Sequence, residues 1–187
     1  MKATVVLADE HKVILRALDV LDAMTVEAVE FGRFDMADVE ALLSFTERFA
    51  DAQHQAKEEQ ILFPALRAAA EPELRRVDHL TFEHCRERAL MRELQRQLNG
   101  AHLAEFVVCA DKLSSELRNH IYKEEHILFE LVEGVLSTSE DEAVAEKLKT
   151  FTADPAQRSI SDDLANLRRL EWKYLGRLPH ARSVAMT

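Results

Sequence analysis

The 187-residue chain predicts an all-α fold: an up-down-up-down four-helix bundle followed by a C-terminal helical appendage. Three observations carry that expectation. Only four glycines and four prolines are present, and the strong helix formers Leu, Ala, Glu and Arg dominate. β-branched runs bounded by turn residues are missing, so strands are not expected. The few breakers divide residues 1–136 into four long amphipathic segments, and short connections between such helices force antiparallel neighbours.

The first helix is expected from about Thr4 to Val29, with Val6, Val13, Ile14, Leu18 and Leu21 on its apolar positions, ending at a Gly32–Arg33 turn. Asp35 with Asp38 reads as the cap opening the second helix, which continues to about Ala70. Pro64 should kink that helix or end its regular part. Pro72 opens the third from the first-turn position where proline is tolerated, and Gly100 closes it as a left-handed residue. The fourth runs from about His102 to Leu136. In the extension, residues 137–187, Ser139 with Glu142 suggests a capping box for a short helix to about Phe151. Asp154-Pro155 starts another, carrying Leu164, Leu167, Leu170 and Leu175, and a loose tail follows Pro179. This appendage can pack over one end of the bundle or against a second subunit, as in a homodimer.

A formal net charge of −10 gives no general reason to seek nucleic acid or an anionic membrane. The first dozen residues are too interrupted, at Asp9, Glu10 and His11, for a signal peptide, and no run of about 18 apolar residues exists. Cys85 and Cys109 form no CxxC, which suggests small core residues, free thiols and a reducing cytoplasm.

The most informative feature is a duplication. His54-Gln-Ala-Lys-Glu58-Glu-Gln-Ile-Leu-Phe63 returns as His120-Ile-Tyr-Lys-Glu124-Glu-His-Ile-Leu-Phe129. In each copy a histidine and a glutamate stand four apart, on one face of a helix. Two such helices facing each other supply the mixed nitrogen and oxygen ligands that iron or another borderline transition metal accepts. In an antiparallel hairpin, residues equidistant from the turn lie side by side. The midpoint of His11 and His54 falls between residues 32 and 33, that of His84 and His120 at 102, and that of His54 and His84 at 69, each within a few residues of a breaker. So His11, His54, His84 and His120 should share one layer, with Glu58 and Glu124 one turn further along. A single histidine on an apolar face is more often a hydrogen-bonded core residue than a ligand. Four imidazoles and two carboxylates together, however, are costly to bury without a partner, and a pair of metal cations is the natural one. His79, His102, His126 and His180 fail the layer test and read as surface or capping residues. Phe63 and Phe129 could wall the site. Lys57, Lys123, Glu59 and Glu125 read as solvated flanks, with Glu125 the alternative to Glu124 should the fourth helix be locally overwound.

These residues resemble the hemerythrin-like, or HHE cation-binding, family: Glu10-His11, His54-x-x-x-Glu58 before Ile-Leu-Phe-Pro, Glu83-His84, and His120-x-x-x-Glu124 before Ile-Leu-Phe, over about residues 4–136. The resemblance implies a four-helix bundle around two non-haem irons with an oxo or hydroxo bridge, ligated by His11, His54, His84 and His120 and bridged by Glu58 and Glu124. Zinc or manganese would also suit the donor set. Oxygen-carrying members add a His-x-x-x-His pair on the third helix and a His-x-x-x-x-Asp pair on the fourth. Here Leu80 and Arg88 stand where a further histidine would fall, and the fourth helix uses glutamate. The more open site that results suits redox chemistry or sensing of O2, peroxide or NO better than protected O2 carriage, with Tyr122 and His126 the side chains to watch as extra caps. The competing reading is a metal- or redox-dependent regulatory module without turnover. A ferritin-like oxidase, with its Glu-x-x-His order, ranks below both.

Overall fold

The computed structural model describes residues 2–69, 74–153 and 160–176. Among the described residues every regular element is helical. Helix α1 spans Ala3–Phe31. Helix α2 is one rod over residues 36–69: α-helical at Met36–Thr46, π-type over Glu47–Gln55 and Glu58–Leu62, and α-helical again at Phe63–Ala69. Helix α3 is Leu74–Asn99. Helix α4 covers residues 103–135, with a π-type stretch at Glu124–Leu128 between Leu103–Lys123 and Phe129–Val135. Helices α5 (Thr138–Thr150) and α6 (Ile160–Tyr174) follow among the described residues. Pro72, Asp154-Pro155, His180 and the expected tail after Pro179 lie outside the described residues.

The helix ends follow from local chemistry, with two corrections. Gly32 ends α1 at φ 66°, and Asp35 caps α2 by accepting the Asp38 N–H at 3.3 Å, both as expected. The left-handed residue after α3 is Ala101 (φ 53°) rather than Gly100. The His102 N–H bonds back to the Gln97 carbonyl and the Ala101 N–H to that of Leu98, a Schellman closure displaced by one residue. Gly100 answers a different need: a Cβ there would meet the His102 ring at 2.7 Å. The capping box of α5 is Ser137 with Glu140, not Ser139 with Glu142. The chain leaves α4 at Leu136 in an extended conformation, so Ser137 is already the boundary residue.

Pro64 does not account for the irregularity in α2. The π stretch Glu58–Leu62 precedes it, and the second copy has the same stretch with Glu130 at the matching position. The wide turn at Glu58–Leu62 belongs to the repeated motif, where such turns commonly mark functional positions, whereas the longer one at Glu47–Gln55 has no counterpart in α4.

Two apolar clusters fill the interior. One contains Leu18, Leu21, Leu42, Phe45, Leu94, Phe106 and Leu113, and the other Leu7, Leu62, Phe63, Leu66, Leu80, Leu128 and Phe129. In α1, Leu7, Ile14, Leu18 and Leu21 form the buried stripe, while Val6 and Val13 are only half-buried. The appendage divides between the two. Helix α5 adds Val144, Ala145 and Leu148 to the second cluster; α6 adds Leu167, Leu170 and Tyr174 to the first. Helix α6 is also held by ions: Asp38 receives Arg169 at 2.8 Å and the Tyr174 hydroxyl at 2.9 Å, and Asp163 receives Arg48 Nε at 2.9 Å. Between them Gln53 clasps the connecting segment, donating to the Phe151 carbonyl at 2.8 Å.

Candidate metal centre

Between the two clusters lies a polar layer. His11 of α1, His54 and Glu58 of α2, His84 of α3, and His120 and Glu124 of α4 are all essentially inaccessible to solvent. The six residues expected from the sequence meet at one level. Their atoms form two overlapping groups, His11–His54–Glu58–Glu124 and Glu58–His84–His120–Glu124, and within each group the candidate ligand atoms lie within 4.8 Å of one another.

The two carboxylates belong to both groups, and each divides its oxygens between them. Glu124 Oε2 is 3.1 Å from His11 Nε2, and its Oε1 is 3.1 Å from His120 Nε2. Glu58 Oε1 is 3.6 Å from His54 Nε2, and its Oε2 is 3.3 Å from His84 Nε2. The His84 and His120 Nε2 atoms are 3.0 Å apart. Two nitrogens each about 2.1 Å from one ion at a right angle would be separated by about 3 Å.

Each histidine is turned to this centre by a carboxylate on its outer nitrogen. His11 Nδ1 donates to Glu125 at 3.0 Å, His54 to Glu10 at 3.0 Å, His84 to Glu59 at 2.7 Å and His120 to Glu83 at 3.0 Å. An ionised carboxylate can only accept, so Nδ1 carries a proton and Nε2 is the atom turned toward the interior. Lys57 in turn binds Glu10, and Lys123 binds Glu83. Phe129 stacks on His11 with centroids 5.7 Å apart, and Phe63 on His84 at 5.9 Å. The duplication is thus a near two-fold arrangement of side chains.

The flank assignment is therefore corrected. Lys57 is buried, and the half-buried Glu59 and Glu125 hold His84 and His11. The π turns bring two successive glutamates of each copy inward. Glu124 faces the centre, between His11 and His120, and Glu125 stands behind His11. The sequence signal for Glu10 and Glu83 was the repeated Glu-His dipeptide, in which each glutamate serves the histidine of a neighbouring helix. Cys85 is exposed, correcting its expected core role, because it follows inward-facing His84 and points away; Cys109 is buried. Tyr122 and His126 stack on each other at 4.0 Å on the surface and do not cap the centre. Leu80 packs in an apolar cluster, and Arg88 binds Asp51 and Glu59. His79 and His102 lie at the surface.

The centre demands positive charge. Burial alone would lower the imidazoles, but the glutamates outweigh it: His84 is raised to about 9, by Glu58 and Glu59, and His11 and His120 are raised as well. Burial would likewise raise Glu124, yet His120 and His11 hold it well below the usual carboxylate range. Glu83, bonded to His120, falls to about 2. Both oxygens of Glu58 and of Glu124, with the Nε2 atoms of His11 and His54, are buried without hydrogen-bond partners. A set of buried acceptors facing one another is satisfied by cations, and this mixed donor set suits a first-row transition metal.

The chain belongs to the hemerythrin HHE cation-binding domain family, whose model matches residues 2–132. Hemerythrin-like domains bind metal ions, typically iron, and the histidine–glutamate cluster fits that role. No curated protein matches the chain. No helix among the described residues is long and apolar enough to cross a membrane.

Proposed function

We propose that the protein is a non-haem di-iron protein in which His11 and His54 hold one ion, His84 and His120 hold the other, and Glu58 and Glu124 bridge the two. The observation that carries this reading is the division of each carboxylate's oxygens between two histidine pairs. The same convergence supports an up-down-up-down four-helix bundle over residues 1–136, with residues 137–187 as an extension. When bound, a pair of irons supplies redox-active positions for a small ligand such as O2, peroxide or NO. The chain's own residues do the rest. Glu10, Glu59, Glu83 and Glu125 keep the four imidazoles in the tautomer that offers Nε2 inward. Phe63 and Phe129 exclude water from one side. Four protein donors per ion leave coordination free, which favours sensing, stress defence or iron handling in the cytoplasm over sealed O2 carriage.

His54→Ala and His120→Ala are each expected to hold less iron than the wild type and to lose the visible absorption of the iron pair; full iron retention in both would contradict the assignment. A regulatory module without turnover is the second reading. It is favoured by Gln53, the neighbour of His54, which holds the Phe151 carbonyl and the Ala153 N–H and so links the centre to the extension. Adding peroxide to the iron-loaded protein separates the two: sustained O2 release indicates an enzyme, and one stoichiometric colour change indicates a sensor.

A further inference from the structure

The two-fold arrangement of side chains fails beside the centre. The layer next to the centre contains residue 14, three after His11, and residue 121, one after His120. Their counterparts in the other half are residue 87, three after His84, and residue 55, one after His54. One pair is Ile14 and Ile121, and the other is Glu87 and Gln55. All four are at most 3% exposed. Gln55 Nε2 donates to Glu87 Oε2 at 2.6 Å. The other carboxyl oxygen, Oε1, has no hydrogen-bond partner and stands 3.8 Å from His120 Nδ1.

Packing does not require this pair, since two isoleucines fill the equivalent space in the other half. Burying a carboxyl group with one bare oxygen is costly unless a positive charge lies close by. His120 thus has two carboxyl groups behind it, Glu83 and Glu87, whereas His54 has Glu10 alone; burial pushes the Glu87 carboxyl up, and the facing His120 and His84 oppose that rise. Arg88 adds a positive charge on the same side, but Asp51 and Glu59 occupy it.

We infer that Glu87, held in place by Gln55, makes the two metal positions unequal, so that the position bounded by His84 and His120 is the stronger site for a divalent transition cation. Glu87 acts as a positioning residue through His120 and does not itself ligate. The inference rests on the two-ion reading above and adds an order of filling to it.

The test is a titration of the metal-stripped protein with cobalt(II), followed by calorimetry and the visible ligand-field bands. The wild type should take up two ions in two resolved steps separated by about tenfold, the lower end of what outer groups behind a ligating imidazole change in metal affinity. His120→Ala should remove the tight step, and His54→Ala should leave it. Gln55→Ile with Glu87→Ile, which copies the other half, should merge the steps while keeping both ions and the helical signal. Glu87→Gln keeps the shape and removes the charge, and should narrow the gap even if the double variant folds poorly. Two equal steps in the wild type, or steps unchanged in Glu87→Gln, would overturn the inference and leave the two-ion reading intact. Uptake of fewer than two ions by the wild type would overturn both.

Discussion

Each imidazole of the centre is held from behind as firmly as it is presented in front. Glu83 illustrates this: it accepts from His120 Nδ1 at 3.0 Å and from Lys123, and the two contacts keep it ionised to about pH 2. Glu83→Ala should lower metal affinity by about 10- to 100-fold without unfolding the chain, measured by competition with a chelator. Wild-type affinity in that variant would reduce the outer glutamates to surface decoration. The six inner residues were legible because a four-residue spacing repeated in two copies has few other uses. The outer ones were not. On a regular helix Glu59 and Glu125 fall five positions past their histidines and rotate toward solvent; here, in π-type turns, they are half-buried and reach His84 and His11.

At the level of elements, the boundaries set by capping chemistry are the informative ones. The Gly32 end of α1 and the Asp35 cap of α2 were readable because each uses its residue in the ordinary way. The end of α3 falls one residue later than Gly100, whose missing Cβ leaves room for the ring of His102, bonded to the Gln97 side chain at 2.9 Å. The left-handed conformation then falls on Ala101, where a Cβ is unfavourable. Ala101→Gly should therefore raise stability by about 0.5–1 kcal/mol, seen as a higher denaturant midpoint. A lower midpoint would show that the turn relaxes elsewhere. Leu167 and Leu170, both fully buried, fix α6 against the first apolar cluster. Leu167→Ala should cost about 2–5 kcal/mol in chemical denaturation, and a loss well below that would mean that α6 is held by its Asp38 and Asp163 ion pairs rather than by its core.

For the whole molecule, a charged layer between two apolar clusters makes stability depend on what neutralises it. In the metal-free fold the protons on the imidazoles serve. His84 titrates near 9 against an ordinary 6.5, so its contribution is complete below pH 6.5 and is lost as pH rises through about 9. His11 and His120 are raised in the same direction. Metal requires those protons to leave, so acid opposes the loaded form. Thermal unfolding across this window should show the metal-free protein losing stability as pH rises and the loaded protein not losing it; parallel slopes would contradict a shared site for protons and metal. The most direct test of the central claim is the crystal structure of the iron-loaded protein with anomalous maps at the iron edge. Two peaks should lie among His11, His54, His84 and His120, with Glu58 and Glu124 each touching both. A single peak, or iron bound elsewhere with those side chains unengaged, would contradict the account.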